Sequence, residues 1–275
     1  MHDFEKRHVV VTGGSGALGT EVVTQLLDRG AHVHVPVYVP KELDRFPYRD
    51  HERVSVRLGL DFTVEDTVAK YYADLPSCWA SIHVAGGFRM AAFTDTSLED
   101  FLFLMNMNAV TCFLSMREAV KKMRQAGNGG RIVNVTAKPA LVPTAGLVAY
   151  AASKSVVASM TTSLAEEVAP DGIWVNAIAP SIIDTSANRK AMPKADFSAW
   201  PKPADLAATI LHLASPATSW AAAPSCRSTD AANRRACAGR LLRGRRSRRG
   251  TWRRRPAPGR RPRRRPRRSR GPARR

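Results

Sequence analysis

The sequence predicts an α/β fold, in which one doubly wound parallel sheet is covered by helices on both faces. Between Val9 and about Ser215, short runs rich in β-branched residues alternate with longer stretches of helical periodicity. The first of these runs leads straight into a glycine-rich loop and then a helix, as in a βαβ unit. A chain of 275 residues with 44% hydrophobic content can build one such domain around a single sheet.

Each predicted strand is a short apolar run that ends at turn residues. The strands cover residues 8–12, 31–37, 53–58, 79–84, 130–136 and 173–178. The helices cover residues 17–28, 63–73, 98–126, 149–169 and 204–214. Residues 186–202 have poor periodicity and two prolines, so they are predicted to form a mobile lid. The lid would cover the carboxyl edge of the sheet, where open α/β folds bind ligands.

The composition of the chain changes abruptly after Trp220. Residues 221–275 contain 22 arginines, no lysine and a single acid, Asp230, so they account for the formal net charge of +20. We therefore predict one folded domain over residues 1–220 and a disordered or non-native tail over residues 221–275. Arg, Ala, Pro and Gly have codons made only of G and C, so a shifted reading frame in GC-rich DNA would produce such a tail. The alternative interpretations are a native solvated tail and an arm that binds nucleic acid non-specifically through phosphates.

The cysteines and the N-terminal residues of the chain indicate its cellular location. Cys78, Cys112, Cys226 and Cys237 show neither metal-ligand spacing nor a disulfide framework, so no metal site is predicted. The first residues run into a strand without a signal peptide, and no apolar run approaches the ~20 residues of a membrane span. We expect a cytoplasmic protein that does not enter a membrane.

The glycine-rich loop at residues 13–19, Gly-Gly-Ser-Gly-Ala-Leu-Gly, follows a buried strand and opens a helix. In that context glycines allow a tight turn and the close approach of a pyrophosphate to the helix N-terminus. The loop therefore predicts a bound dinucleotide, NADP or NAD. The end of the second strand offers neither an acid for the adenosine ribose nor an arginine. Lys41 could reach a 2′-phosphate, which slightly favours NADP.

Three further residues bear on the chemistry, one acid and a tyrosine–lysine pair. Asp61, after the third strand, is placed to meet the adenine edge, although it could equally cap a helix that starts at Thr63. Tyr150 and Lys154 are four residues apart and share a helix face, so the ammonium can stabilise the phenolate. Such a pair alone is usually only a solvated face. Together with the glycine loop, it indicates a nicotinamide-dependent oxidoreductase.

With these motifs in this order, the chain resembles the short-chain dehydrogenase/reductase family over about residues 8–215. The likeness lies in the glycine loop, the Asn108 helix, the strand at 130–135, the Tyr150 to Lys154 motif, and residues 175–180 followed by Thr185. The resemblance implies a Rossmann fold and an NAD(P)-dependent enzyme that transfers a hydride between nicotinamide and a small carbonyl or alcohol substrate. Homo-oligomers are usual in the family.

The resemblance also implies residue roles. Tyr150 would exchange the substrate proton, Lys154 would hold the nicotinamide ribose and lower the pKa of Tyr150, and Asn108 would support a water relay. Ile183 and Thr185 would hold the carboxamide. The implied cofactor-binding residues are Gly13, Ser15, Gly16, Ala17, Leu18, Gly19, Asp61, Ala85, Gly86, Tyr150, Lys154, Pro180, Ile183 and Thr185.

The main departure from the family pattern is Ala137, which stands where a serine usually polarises the substrate carbonyl. Thr136 is adjacent, but neighbouring strand positions face opposite ways, so it is a doubtful substitute. Losing such a donor typically costs ~100-fold or more in turnover. The pair Ala137-Lys138 resembles dihydropteridine reductase, which reduces a quinonoid ring, so an activated quinonoid acceptor is an alternative substrate. A dinucleotide-binding protein with little turnover is another.

Two other departures concern the sheet. His83 stands in the turn that usually reads Asn-Asn-Ala-Gly, and we expect it to be a packed or hydrogen-bonded strand-end residue and not a catalytic one. The glycine-containing seventh strand of the family has no counterpart after Leu213. The sheet is therefore predicted to lack its usual final edge strand, which makes oligomer assembly doubtful.

Overall fold

The computed structural model of the chain describes residues 3–218. Its sheet has six parallel strands in the order β3-β2-β1-β4-β5-β6. The strands are β1 His8–Thr12, β2 His32–Pro36, β3 Val54–Arg57, β4 Ala80–His83, β5 Gly130–Val135 and β6 Ile173–Ile178. The chain order reverses between β1 and β4, so the predicted doubly wound parallel sheet is confirmed.

The described residues form seven α-helices. They are α1 Ala17–Asp28, α2 Glu65–Ala73, α3 Leu98–Leu104, α4 Thr111–Ala126, α5 Val148–Val168, α6 Ser186–Ala191 and α7 Pro203–Ala214. Side chains alternate along each strand, so β1 sends Val9 and Val11 to one face and Val10 to the other. The first face packs against α1 and α7, and the second packs against α2, α4 and α5. Two apolar cores therefore hold the sheet from both sides and fix its carboxyl edge.

Two segments differ from the sequence-based prediction. The single helix predicted over 98–126 consists of α3 and α4 joined by a wider, π-type turn at Met105–Val110. The predicted lid contains α6, whose six residues are too few to show a helical period. The lid segment is also hydrogen-bonded to the residues that follow β6, because the Asp184 amide donates to Pro201 O at 2.9 Å.

His83 is a buried structural residue, as the sequence predicts. Its Nδ1 lies 2.7 Å from Asn134 Oδ1, and its Nε2 lies 2.8 Å from Ser81 Oγ. Asn134 in turn donates to Thr161 Oγ1 at 2.8 Å. This polar chain links β4, β5 and α5, and burial lowers the pKa of His83 to about 4.

A second group of histidines lies at the start of β1 and β2. His8 Nδ1 is 2.8 Å from His34 Nε2, and the His8 ring stacks on both His32 and His34 at 5.1 Å. The pKa of His34 falls to about 4, chiefly through burial and then through the positive charges of His8, Arg57 and His32. Protonation of His34 is therefore unfavourable in the folded chain.

The two lowered histidine pKa values predict a loss of stability in acid. The unfolded chain takes up protons near pH 6.5, whereas folded His34 and His83 resist protonation down to about pH 4. Stability is then present above pH 6.5 and falls by roughly 2 kcal/mol per histidine between pH 7 and pH 5. Urea denaturation at both pH values measures the loss, and His34→Gln should remove about half of it. An equal loss in the variant and the parent chain would contradict this assignment.

The predictions for the chain end lie outside the described residues. These are the missing seventh strand, the boundary at residue 220, the tail over 221–275 with its nucleic-acid alternative, and the state of Cys226 and Cys237. Within residues 3–218, Cys78 and Cys112 are both buried free thiols. No helix of this described part combines the length and apolarity needed to cross a membrane.

Candidate active site

The glycine loop connects β1 to α1 in a conformation that only glycine suits. Gly13 has a φ of +68°, and a Cβ there would lie 2.7 Å from Ala85 N. A Cβ on Gly19 would lie 2.7 Å from Gly14 Cα and would overlap Gly13 O. The loop therefore brings the backbone of Gly13 against Ala85 and the first turn of α1 against the loop itself.

The N-terminus of α1 is open to an anion. Its first residue outside the helix, Gly16, offers no side-chain cap, and the first turn contains no acid. Its amide groups, those of Ala17, Leu18 and Gly19 among them, begin a helix whose dipole is positive at this end. The loop carries no side chains at the glycines where a Cβ would clash, and the helix N-terminus beside it is uncapped. Both features fit the pyrophosphate of a dinucleotide.

Tyr150 and Lys154 lie on α5 beside the ends of β4 and β5. The Tyr150 ring packs edge-to-face on Phe88 at 5.0 Å, and Phe88 is itself 55% exposed. The Lys154 ammonium is buried and donates to Val135 O at 2.9 Å, and burial lowers its pKa to about 8. Burial raises the pKa of Tyr150, which is opposite to the predicted direction. The phenol is therefore protonated at neutral pH and is a weaker acid than a solvent-exposed tyrosine.

Asn108 lies in the wide turn between α3 and α4, where π-type geometry often marks a functional position. Its Oδ1 accepts from Gly87 N at 2.9 Å, and its Nδ2 donates to Gly87 O and to Ser153 Oγ, each at 3.0 Å. The Ser153 hydroxyl donates to Tyr150 O at 2.8 Å. Asn108 thus couples the strand-end loop to the helix that carries Tyr150 and Lys154.

The loop after β4 accommodates these polar groups because it contains glycine. A Cβ on Gly86 would meet Asn108 Oδ1 at 2.5 Å and Lys154 Nζ at 3.2 Å. The preceding Ala85 donates its amide to Thr12 O at 3.0 Å, which fixes the loop to the end of β1. Ala85 and Gly86 therefore lie between the glycine loop and the Tyr150 to Lys154 pair.

Ala137, where the resemblance places the usual serine, is a buried residue with an extended backbone. Ala137 is 5% exposed, with φ of −155° and ψ of 154°. Thr136 does not replace the missing donor, because its hydroxyl donates to Lys154 O at 2.7 Å. Lys138 is exposed, and its amide donates to Pro180 O at 2.9 Å.

Pro180, Ile183 and Thr185 follow β6 at the same sheet edge, and local bonds hold the last two in place. Thr185 N and Asn188 Nδ2 both donate to Ile183 O, at 2.9 Å and 2.8 Å. The Thr185 hydroxyl accepts from Asn188 N at 3.2 Å and so caps α6. That hydroxyl keeps its own proton for a further acceptor.

Asp61 is placed by a local turn and does not cap a helix at Thr63. Its Oδ1 accepts from Thr63 N at 2.8 Å and from Thr63 Oγ1 at 2.6 Å. The helix begins two residues later than predicted, at Glu65, with Val64 as its cap. The capping alternative is therefore wrong in detail, and the contact with an adenine edge stays a prediction.

The structure brings to the glycine loop one acid that the sequence analysis did not single out. Glu42 lies in the short 3₁₀ turn Pro40–Leu43, where its Oε1 accepts from Val39 N at 3.0 Å. Its Oε2 accepts from Ser15 Oγ at 3.3 Å. An acid about 20 residues beyond the glycine loop is a known signal, but this one lies past the strand end and not at it.

The described part of the chain contains no group of three or more His, Cys, Asp or Glu side chains that could hold a metal ion. The polar groups brought together at the carboxyl edge are instead a phenol, an ammonium, an amide and glycine-loop backbone. That set can bind a nucleotide and exchange a proton.

Comparisons with known proteins agree with this arrangement. A family model described as short chain dehydrogenase matches residues 7–196. The 3-oxoacyl-acyl-carrier-protein reductase FabG of Rickettsia bellii is 28% identical over 231 residues, covering 80% of this chain and 94% of the relative. The NAD-dependent glycerol dehydrogenase of Listeria innocua is 29% identical over 186 residues, covering 66% of this chain and 72% of the relative.

Solved structures share the fold. The structure of ElxO with NADP bound has a TM-score of 0.71 and 26% sequence identity to this chain. The match covers 78% of this chain and 94% of that one.

Proposed function

The chain belongs to the short-chain dehydrogenase family, and on that premise we propose that it is an NAD(P)-dependent oxidoreductase acting on a small organic substrate. The observation that carries the proposal is the meeting of the glycine loop, Tyr150 and Lys154 at one edge of the sheet. Gly13 and Gly86 lie on either side of Ala85, so the loop and the catalytic pair share one surface.

The proposed cofactor site follows the carboxyl edge from α1 to α6. The amide groups of residues 16–19 would hold the pyrophosphate. Asp61 would face the adenine, Ala85 and Gly86 would line the middle of the site, and Pro180, Ile183 and Thr185 would hold the nicotinamide end. The bound nicotinamide would supply or accept a hydride.

In the proposed mechanism Tyr150 supplies the proton. Tyr150 is protonated at neutral pH, and its phenol would donate to the developing alkoxide of a reduced carbonyl. Burial alone raises the pKa of this phenol, so the donation depends on a nearby cation that stabilises the phenolate. Lys154 would exchange its bond to Val135 O for the nicotinamide ribose and would stabilise the phenolate that remains. Asn108 would hold Gly87 and Ser153 so that the loop and α5 keep their spacing.

A purified full-length chain tests the proposal directly. Oxidation of NADH and NADPH is followed against a panel of ketones, aldehydes, quinones and quinonoid pterins. Turnover on at least one acceptor is expected. Cofactor binding without turnover on any acceptor would favour the second candidate, a dinucleotide-binding protein, which is supported by Ala137 and by the Thr136 hydroxyl, since the latter donates to Lys154 O and does not replace the missing serine.

The missing serine also bears on the class of substrate. An electron-poor quinonoid acceptor needs less polarisation than a ketone, so Ala137 favours such an acceptor, as the likeness of Ala137-Lys138 to dihydropteridine reductase suggests. Lys138 is exposed at the same edge and would face it. Residues 221–275 have no part in this proposal, and we propose a cytoplasmic location without a membrane partner.

Restoring the hydroxyl is expected to raise turnover on ketones. In Ala137→Ser the new hydroxyl would polarise the substrate carbonyl, and kcat with ketones should rise by roughly 10- to 100-fold. Turnover on quinonoid acceptors should change much less. Ala140→Ser, which adds a hydroxyl on the following turn, serves as the control. A ketone rate that stays at the parent value in Ala137→Ser would show that Ala137 does not limit this chemistry.

A further inference from the structure

We propose that Phe88 selects substrates that carry a flat, uncharged ring next to the reacting carbonyl, as aryl ketones and quinones do. The inference rests on the proposed function, because it names the substrate class of the same site. It makes small polar molecules such as polyols and hydroxy acids poor substrates of this chain.

The position of Phe88 beside the phenol carries the first step. The Phe88 ring packs edge-to-face on the Tyr150 ring with 5.0 Å between the centroids, yet 55% of Phe88 stays exposed. A substrate whose carbonyl oxygen takes a proton from Tyr150 must bring its neighbouring atoms close to this ring. Aromatic rings attract one another in offset-stacked and edge-to-face arrangements. The exposed part of Phe88 therefore favours a substrate whose neighbouring atoms form a ring.

The attachment of the Phe88 loop to the loop before α5 carries the second step. The Ala91 amide donates to Gly146 O at 3.1 Å. Gly146 has a φ of +75°, and a Cβ there would lie 3.2 Å from Met90 Cε, so the two loops approach closely. The loop after β4 and the loop after β5 thus form one wall beside Tyr150. Because this wall is already held together, a substrate that packs on it loses little affinity to ordering the chain.

The near absence of charge on the two loops carries the third step. Residues 139–148 contain no ionisable side chain, and residues 84–92 contain one, Arg89. Arg89 is drawn toward α3, where its Nε lies 3.4 Å from Asp100 Oδ1. Lys138 precedes the second loop, and its exposed ammonium can stay hydrated. The two loops therefore offer little to balance the charge of an ionised substrate.

The same two loops expose apolar side chains. Met90 on the first loop and Leu141, Val142 and Val148 on or next to the second are all exposed large hydrophobic residues. Exposed apolar residues that cluster at a site favour a ligand that covers them with apolar surface. A polyol in the same place would leave hydroxyl groups against apolar side chains without hydrogen-bond partners. An uncharged ring fits this wall better than a small polar molecule.

The test compares two vicinal diketones that differ by one ring, 1-phenyl-1,2-propanedione and 2,3-butanedione. Their reduction by the full-length chain is followed at steady state with NADH and with NADPH. We expect kcat/KM to be about 10- to 100-fold higher for the phenyl compound. The ratio of the two kcat/KM values is then measured in variants, because the difference in intrinsic reactivity between the two diketones is the same in every variant.

Phe88→Leu keeps an apolar side chain and removes the flat ring. We expect it to lower the kcat/KM ratio by about 5- to 10-fold. Phe88→Tyr keeps the ring, and its ratio should stay within about threefold of the parent value. If Phe88 only supported Tyr150, Phe88→Leu would slow the reduction of both diketones equally. An unchanged ratio in Phe88→Leu would therefore overturn the inference.

Phe113→Leu is the matched control. Phe113 is another exposed phenylalanine, on α4, and the Arg117 guanidinium lies 5.7 Å from its ring centroid. No ring contact within the described residues joins it to Tyr150. The substitution removes the same ring and should leave the kcat/KM ratio at the parent value. An equal fall of the ratio in both variants would show that the contact beside Tyr150 does not set the preference, and this would overturn the inference.

Other outcomes separate the two proposals. A parent chain that reduces 2,3-butanedione as well as the phenyl compound, or that reduces polar acceptors and neither diketone, overturns the role of Phe88 while the proposed oxidoreductase stands. A parent chain that reduces no acceptor of any class overturns the proposed function itself, and the role of Phe88 with it.

Discussion

Gly19→Ala is expected to weaken dinucleotide binding by ~100-fold or more, because the pyrophosphate site depends on backbone approach. The added methyl group would overlap Gly13 O and would lie 2.7 Å from Gly14 Cα, so the loop must move to admit it. Both contacts are to backbone, which cannot rotate away as a side chain could. Titration with NADH and NADPH measures the loss.

A glycine substitution elsewhere separates loss of binding from loss of stability. Gly127 ends α4 with a φ of +67°, and a Cβ there would meet nothing within 4 Å. Gly127→Ala should therefore lower the melting temperature through backbone strain and leave the Kd unchanged. Retained cofactor affinity in folded Gly19→Ala would contradict the placement of the pyrophosphate.

Tyr150→Phe is expected to lower kcat by about 100- to 10,000-fold, the range found when a general acid is removed. The phenylalanine ring keeps the edge-to-face contact with Phe88, so the site should hold its shape. Only the proton donor is lost, and the Kd for the cofactor should change by less than about threefold. Steady-state kinetics on the best acceptor, with a parallel cofactor titration, gives both numbers.

A second tyrosine provides the control for this variant. Tyr72 is fully buried at the α2 face, and its hydroxyl lies 2.7 Å from Ser81 Oγ, away from the carboxyl edge. Tyr72→Phe should lose some stability and keep its kcat. If Tyr150→Phe retains near-parent turnover, Tyr150 is not the proton donor.

Much of the fold could be predicted because its signals are local. The β-branched runs give the six strands to within one or two residues, and the glycine loop marks the start of α1. The wide turn at Met105–Val110 was not predictable, since one expanded turn barely disturbs the apolar period of a long helix. The α6 helix was missed because it is shorter than two turns.

The residues of the candidate site could be predicted from the sequence, but their hydrogen bonds could not. Sequence spacing places Tyr150 and Lys154 on one helix face, but only the structure shows the ammonium bonded to Val135 O and the phenol pKa raised by burial. Likewise, the alternation of strand residues makes Thr136 a doubtful donor, and its bond to Lys154 O shows where the hydroxyl points. Glu42 reaches Ser15 through a turn that no periodicity reveals.

A crystal structure of the full-length chain with a bound dinucleotide tests the central claim most directly. We expect the pyrophosphate at the start of α1, and Tyr150 Oη and Lys154 Nζ both within about 3 Å of the nicotinamide ribose. A dinucleotide bound away from the glycine loop, or a Tyr150 hydroxyl that faces away from the nicotinamide ring, would contradict it.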